Sequence, residues 1–200
     1  MKALEDILSG YRKTVSLLRE VPFLTDIPCL IAARLILPGL LCHLVSESGR
    51  SRENYHCYGG YCEADRKFAS MPWVACRVRN PTAKRQEGYV VGLMFREDMA
   101  GCWLSLNRGH EIYKQRRLGI QEDHDPGDAG TADLTSIISV PAPWIAGPID
   151  LAATTDLTRC HEAGAAISRY YDASQLPSEG EFQQAFLQLL DWYDMLGNGQ

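Results

Sequence analysis

Met71–Gly109 reads MPWVACRVRNPTAKRQEGYVVGLMFREDMAGCWLSLNRG. Met71–Arg79 is an apolar, β-branched run that stops at Asn80-Pro81. Gly88–Phe95 is a second such run, Arg96–Gly101 turns the chain, and Trp103–Asn107 is a third. Runs of this length between Asn-Pro, Glu-Gly and Met-Ala-Gly punctuation predict a meander of paired strands. The tip Asn80–Glu87 carries Lys84 and Arg85.

Upstream, Leu4, Ile7, Leu8, Tyr11, Val15 and Leu18 recur at helical spacing, which predicts an amphipathic helix ending before Pro22. Ile27–Val45 is nearly all apolar and long enough to span a bilayer. Arg34 near its centre costs about 3 kcal/mol in a membrane, and Pro28, Pro38 and Gly39 interrupt it. Two short buried helical segments broken at Pro38 are therefore expected, and no membrane partner. Ser46–Asn54 is polar and reads as a surface loop carrying Arg50 and Arg52. Tyr55–Tyr61 (YHCYGGY) suits either a strand ending in a glycine turn or a binding loop.

Downstream, His110–Leu118 can form a helix with Lys114, Arg116 and Arg117. Gln121–Thr131 is an acidic, turn-rich loop. Ile137–Val140 reads as a short strand, Pro141–Pro148 as a turn holding Trp144, and Leu157–Tyr171 as a helix. Ser178 and Glu181 fit a capping box that opens a last helix, with Phe182, Phe186, Leu189, Leu190, Tyr193 and Leu196 on one face and Gly197 as its stop. The expected class is α+β, one domain over 1–200, with a small mixed or antiparallel sheet flanked by N- and C-terminal helices.

The 200 residues carry a net charge of −5, with 46% apolar and 22% charged residues. This balance excludes a uniformly basic nucleic-acid binder but not a basic patch, because recognition uses local fields. Seven cysteines, an odd number, are scattered behind a charged N-terminus. That pattern predicts reduced thiols in a cytoplasm rather than a disulfide framework.

The block around Pro72–Trp73, Gly88–Phe95, Asp98–Met99 and Leu104–Gly109 resembles, in order and spacing, the McrB-like N-terminal domain of modification-dependent type IV restriction systems. Further matches are Ile149-Asp150-Leu151, His161–Gly164 followed by Tyr170–Tyr171 (read as a helical element), and Leu176-Pro177; together they cover about residues 15–197. Two departures stand out. Only Gly59–Gly60 remain of a glycine-rich run expected before Pro-Trp, and no G-x-x-x-x-G-K-[ST] loop for a GTPase occurs. The resemblance implies a DNA-binding specificity module of an antiphage system. It would read double-stranded DNA with a modified base or backbone, while AAA+ GTPase and nuclease subunits supply movement and cleavage.

A reader of modified bases needs π-faces for an unstacked base and cations for phosphates. Tyr58, Tyr61 and Trp103 are the stacking candidates, and Arg50, Arg52, Lys84, Arg85, Arg116 and Arg117 the backbone contacts. Trp73 and Trp103 also suit a plain strand core. No catalytic residue, metal or cofactor is expected. His56, Cys57 and Cys62 lack zinc spacing, Cys160-His161-Glu162 are adjacent and face apart, and the acids of 121–131 lack calcium-loop order. An adaptor domain docking through its last helix, or a cysteine- or metal-dependent enzyme, are the alternatives.

Overall fold

In the computed structural model, residues 1–20, 27–62, 68–79, 88–117, 119, 134 and 138–198 are described. Helix α1 is Lys2–Glu20 and α2 is Pro28–Glu47. Strands β1 (Tyr55–Cys62), β2 (Phe68–Val78), β3 (Val90–Phe95) and β4 (Gly101–Asn107) follow. Then come α3 (Gly109–Arg117), β5 (Ile145–Ala146), α4 (Asp156–Ala163), β6 (Ala165–Asp172) and α5 (Glu179–Asn198). The strands form one six-stranded sheet in the order β1-β2-β3-β4-β6-β5, every pairing antiparallel. The α+β expectation and the three-strand meander hold.

Alternation in the strands decides which side chains enter the core. Val74 and Cys76 of β2 pair with Leu93 and Val91 of β3, and Leu93 and Val91 pair in turn with Leu104 and Leu106 of β4. All six are fully buried. They meet Leu4, Ile7 and Tyr11 of α1, Leu37 and Leu41 of α2, and Phe182, Phe186, Leu189 and Tyr193 of α5 in one apolar cluster. Each large side chain fully buried there stabilises the fold by roughly 2 kcal/mol. The Tyr11 hydroxyl leaves this cluster satisfied, donating to the Ala69 carbonyl at 2.8 Å. The Ser178–Glu181 box caps α5 as expected, with Glu181 N donating to Ser178 Oγ at 3.2 Å. The helix then runs through Gly197.

Several expectations need correction. Pro38 does not break the second helix. A π-turn over Ala32–Ile36, with Leu37 N–H bonded to the Ala32 carbonyl, widens the helix just ahead of the proline. That wider turn takes up the crowding a proline ring causes in the preceding turn. By length and composition this helix could cross a membrane, and half of its apolar window is buried in the fold. Residues 138–140 form no regular element; the short strand is Ile145–Ala146. The helix expected over Leu157–Tyr171 stops at Gly164, and Ala165–Asp172 is strand β6. Gly164 ends the helix, and β4 then supplies the hydrogen-bonding edge that Ile167, Tyr170 and Tyr171 need.

Ser46–Asn54 is only partly a loop: α2 runs to Glu47 and a 3₁₀ turn covers Arg52–Asn54. Arg50 is largely covered. Its Nε donates to Asp194 Oδ2 at 2.7 Å, an Nη to Ser48 Oγ at 2.9 Å, and its other end to Asp191. Tyr55 adds a 2.5 Å bond to Asp194. Burial opposes the Arg50 charge, and the two carboxylates more than offset it, holding the guanidinium above its ordinary range. This group ties the start of β1 to α5. Arg50→Ala is expected to cost about 2 kcal/mol and to lower Tm by about 4–8 °C in thermal denaturation, leaving any DNA affinity of the folded protein nearly unchanged.

Candidate nucleic-acid interface

The sheet face opposite α1, α2 and α5 carries the chemistry. On β1 and β2, period-2 alternation puts His56, Tyr58, Trp73 and Arg77 on this side. The register sets His56 directly opposite Arg77, and Gly60 opposite Trp73. A Cβ at Gly60 would lie 3.0 Å from Trp73 Cζ2, so the glycine leaves room for the indole to lean over β1. Gly59, next to it, has its own constraint: a Cβ there would sit 2.2 Å from the Ala33 carbonyl of α2. The glycine pair is therefore packing geometry inside a strand, and β1 is the strand alternative for Tyr55–Tyr61.

These side chains form a contiguous patch. Tyr58 stacks on His56 with centroids 4.6 Å apart and meets Trp73 edge-on at 5.5 Å. The Arg77 guanidinium stands 5.7 Å from the Tyr58 ring centre, a cation–π contact. Arg79, exposed, follows two residues on, its backbone N–H bonded to the Asn54 carbonyl at 2.8 Å. Among the described residues neither Arg77 nor Arg79 has a carboxylate partner. Burial, then the charges of Arg79 and Arg77, push the His56 imidazole below its ordinary value. This is local positive potential on a chain whose net charge is −5.

The other candidates are spread out. Arg52 is exposed beside Cys42 and Cys57, on the helix side of the same hairpin. Tyr61 stacks on Phe68 at 5.9 Å and packs against the core. Lys84 and Arg85 lie outside the described residues, on the connector that leaves Arg79. Arg116 and Arg117 end α3, their side chains outside what is described. Trp103 sits three strands from Tyr58, roughly 15 Å away. It leans on Tyr170 at 4.8 Å and donates from Nε1 to the Asp150 carbonyl at 2.8 Å. Around it Arg96 is gripped by Asp98 at 2.7 Å and Asp150 at 2.5 Å, which leaves that end of the sheet acidic. The structure thus gathers Tyr58 with His56, Trp73, Arg77 and Arg79, and separates Trp103 and Arg50 from them. The alternation His56/Tyr58 and Arg77/Arg79 was the available sequence signal for the unselected members.

The segments that carried the family resemblance build the scaffold. Glu162 Oε1 accepts from Leu151 N at 2.7 Å and Ala153 N at 3.3 Å, fixing the Ile149–Leu151 turn. Asn107 joins β4 to α4. Its Nδ2 donates to the His161 carbonyl at 2.7 Å, and its Oδ1 accepts from Gly109 N at 2.7 Å and faces His161 Nδ1 at 3.3 Å. Burial, with His110 adding a smaller effect, pushes the His161 imidazole down from 6.5 to about 4. The unfolded chain therefore takes up this proton first, so the contribution is full above pH 6.5 and is lost as pH falls toward 4. This group alone is expected to lower stability in urea by about 2–3 kcal/mol between pH 7.5 and 4.5. His161→Gln should flatten that slope.

Among the described residues no three His, Cys, Asp or Glu side chains are grouped as metal ligands. No curated protein and no solved structure matches the chain. A family model described as MrcB-like, N-terminal domain matches residues 43–198, the block that holds the whole sheet. With well over half of its length matched, the chain belongs to the MrcB-like N-terminal domain family.

Proposed function

We propose that this chain is the specificity domain of a modification-dependent restriction system. It binds double-stranded DNA that carries a modified base or backbone, and partner subunits, an AAA+ GTPase and a nuclease, move and cut it. Membership in the family supports the broader part of this reading, a DNA-binding domain of a restriction system. The observation that carries the rest is the β1–β2 patch. Two exposed arginines that have no carboxylate partner among the described residues adjoin an aromatic cluster, the combination that neutralises phosphates and stacks bases. A cytoplasmic setting fits the reduced thiols of Cys29, Cys42, Cys57, Cys76 and Cys102.

Fluorescence anisotropy tests this with duplexes that are unmodified, carry modified cytosine, or carry phosphorothioate, at graded salt. The expected result is binding that weakens linearly in log–log salt and is tighter for one modified duplex. An absence of binding to all three at low salt overturns the DNA reading in favour of an adaptor domain.

A further inference from the structure

Two thiols meet on the helix-facing side of the same hairpin, with a third on the helix above them. Cys57 of β1 and Cys76 of β2 are direct register partners, and their Sγ atoms are 3.0 Å apart. Directly opposed residues of antiparallel strands hold their Cα atoms about 4.5–5.5 Å apart, inside the range a disulfide needs. Formation of that bond would draw the sulfurs together by about 1 Å with no change of register. Cys76 is fully buried and Cys57 partly so. Cys42 of α2, also partly exposed, lies one helical turn beyond Pro38, whose ring packs at Gly59 two residues from Cys57, and Arg52 is near enough to act on both thiols.

We propose that Cys57 and Cys76 are an oxidative modification site, closed by exchange with a low-molecular-weight disulfide that enters through Cys42. In the first step Cys42 Sγ, as thiolate, attacks one sulfur of the disulfide RS–SR. The S–S bond breaks, Cys42 becomes a mixed disulfide, and one RS⁻ leaves and is protonated. Cys57 Sγ then attacks Cys42 Sγ and releases the second RSH. Cys76 Sγ attacks Cys57 Sγ and returns Cys42 to the thiol. Overall, two cysteine thiols are oxidised to one disulfide while RS–SR is reduced to two RSH. Burial and the neighbouring Cys57 thiol raise the Cys42 thiol above its ordinary range and Arg52 offsets them only in part, so the exchange speeds up as pH rises and the Cys42 thiolate fraction grows. The product is a cross-strand staple beneath His56, Tyr58 and Arg77.

The test is to incubate the full chain with oxidised glutathione, quench with acid, alkylate with N-ethylmaleimide and map the peptides by mass. The expected result is a Cys57–Cys76 linked pair and the loss of both sites from the alkylated set. The preference should vanish when the exchange is run in urea. Cys42→Ser should form the same link about tenfold more slowly, and Cys57→Ser should trap glutathione on Cys42. The proposal is overturned if Cys57 and Cys76 both remain alkylatable once exchange has run to completion, or if Cys42→Ser forms the link at the unmodified rate.

Discussion

Replacing Arg77 and Arg79 together by alanine is expected to weaken duplex binding about 25-fold near 0.15 M salt. Each phosphate contact contributes about fivefold at that salt through released counterions, and the slope of log affinity against log salt should become shallower by about 2 units. The loss should be nearly the same for modified and unmodified duplexes, because phosphate contacts carry no base information. Tyr58→Ala and Trp73→Ala should behave differently, reducing affinity while leaving the salt slope in place, as stacking residues do. The arginines suit this test because Arg77 and Arg79 are exposed and have no carboxylate partner among the described residues, so their removal leaves the core intact. An unchanged salt slope in the double variant would place the contact surface elsewhere on the molecule.

Gly109→Ala is expected to be among the most damaging single methyl additions to the chain. A Cβ there would lie 2.4 Å from His161 Cα and 2.5 Å from the Cys160 carbonyl. Both are backbone atoms of α4, so no side chain can swing aside. Gly164 meets the same constraint from the other helix, its Cβ position lying 2.5 Å from Gly109 N. The two glycines let α3 and α4 cross in backbone contact, and Asn107 closes the junction. Forcing them apart should cost about 3 kcal/mol or more, seen as a fall in Tm of about 6–12 °C. It should also remove the protonation effect of His161, since the imidazole would no longer be enclosed. Gly180→Ala, with nothing within 4 Å of its Cβ position, is the control and should be neutral or slightly stabilising.

What could be read from the sequence follows sequence distance. The hairpins β2–β3 and β3–β4 pair neighbours in the chain and their turn residues announce them, whereas Tyr55–Tyr61 reads equally as strand or binding loop until its pairing with β2 is seen. Strand β6 takes its longer pairing from a strand far back in the sequence, with the two-residue β5 on its other edge. Ala165–Asp172 bonds to Gly101–Asn107, and without that edge in view Leu157–Tyr171 has a serviceable helical pattern. Arg50 is another case of the same effect. A lone arginine in a polar stretch reads as free, and the carboxylates that claim it, Asp191 and Asp194, lie on the last helix. Trp103 looked like a stacking residue by type and strand position. Its carbonyl partner on Asp150 and its acidic surroundings come from distant turns. The His56–Tyr58 and Arg77–Arg79 alternation was legible, but only the register shows that it makes one surface rather than two.

The place of β6 in the sheet has a consequence for how the protein is made. Gly101–Asn107 leaves the ribosome with β3 ready on one side, but the strand for its other side is Ala165–Asp172, behind α3, β5 and α4 in the chain. Until that segment emerges, an apolar strand with unpaired amides is open to solvent, and to other chains in the same condition. A chain cut short before Ala165 keeps that open edge permanently and lacks α5 as well, so it should aggregate rather than behave as a smaller version of the fold. The sheet cannot be completed from the N-terminal end alone.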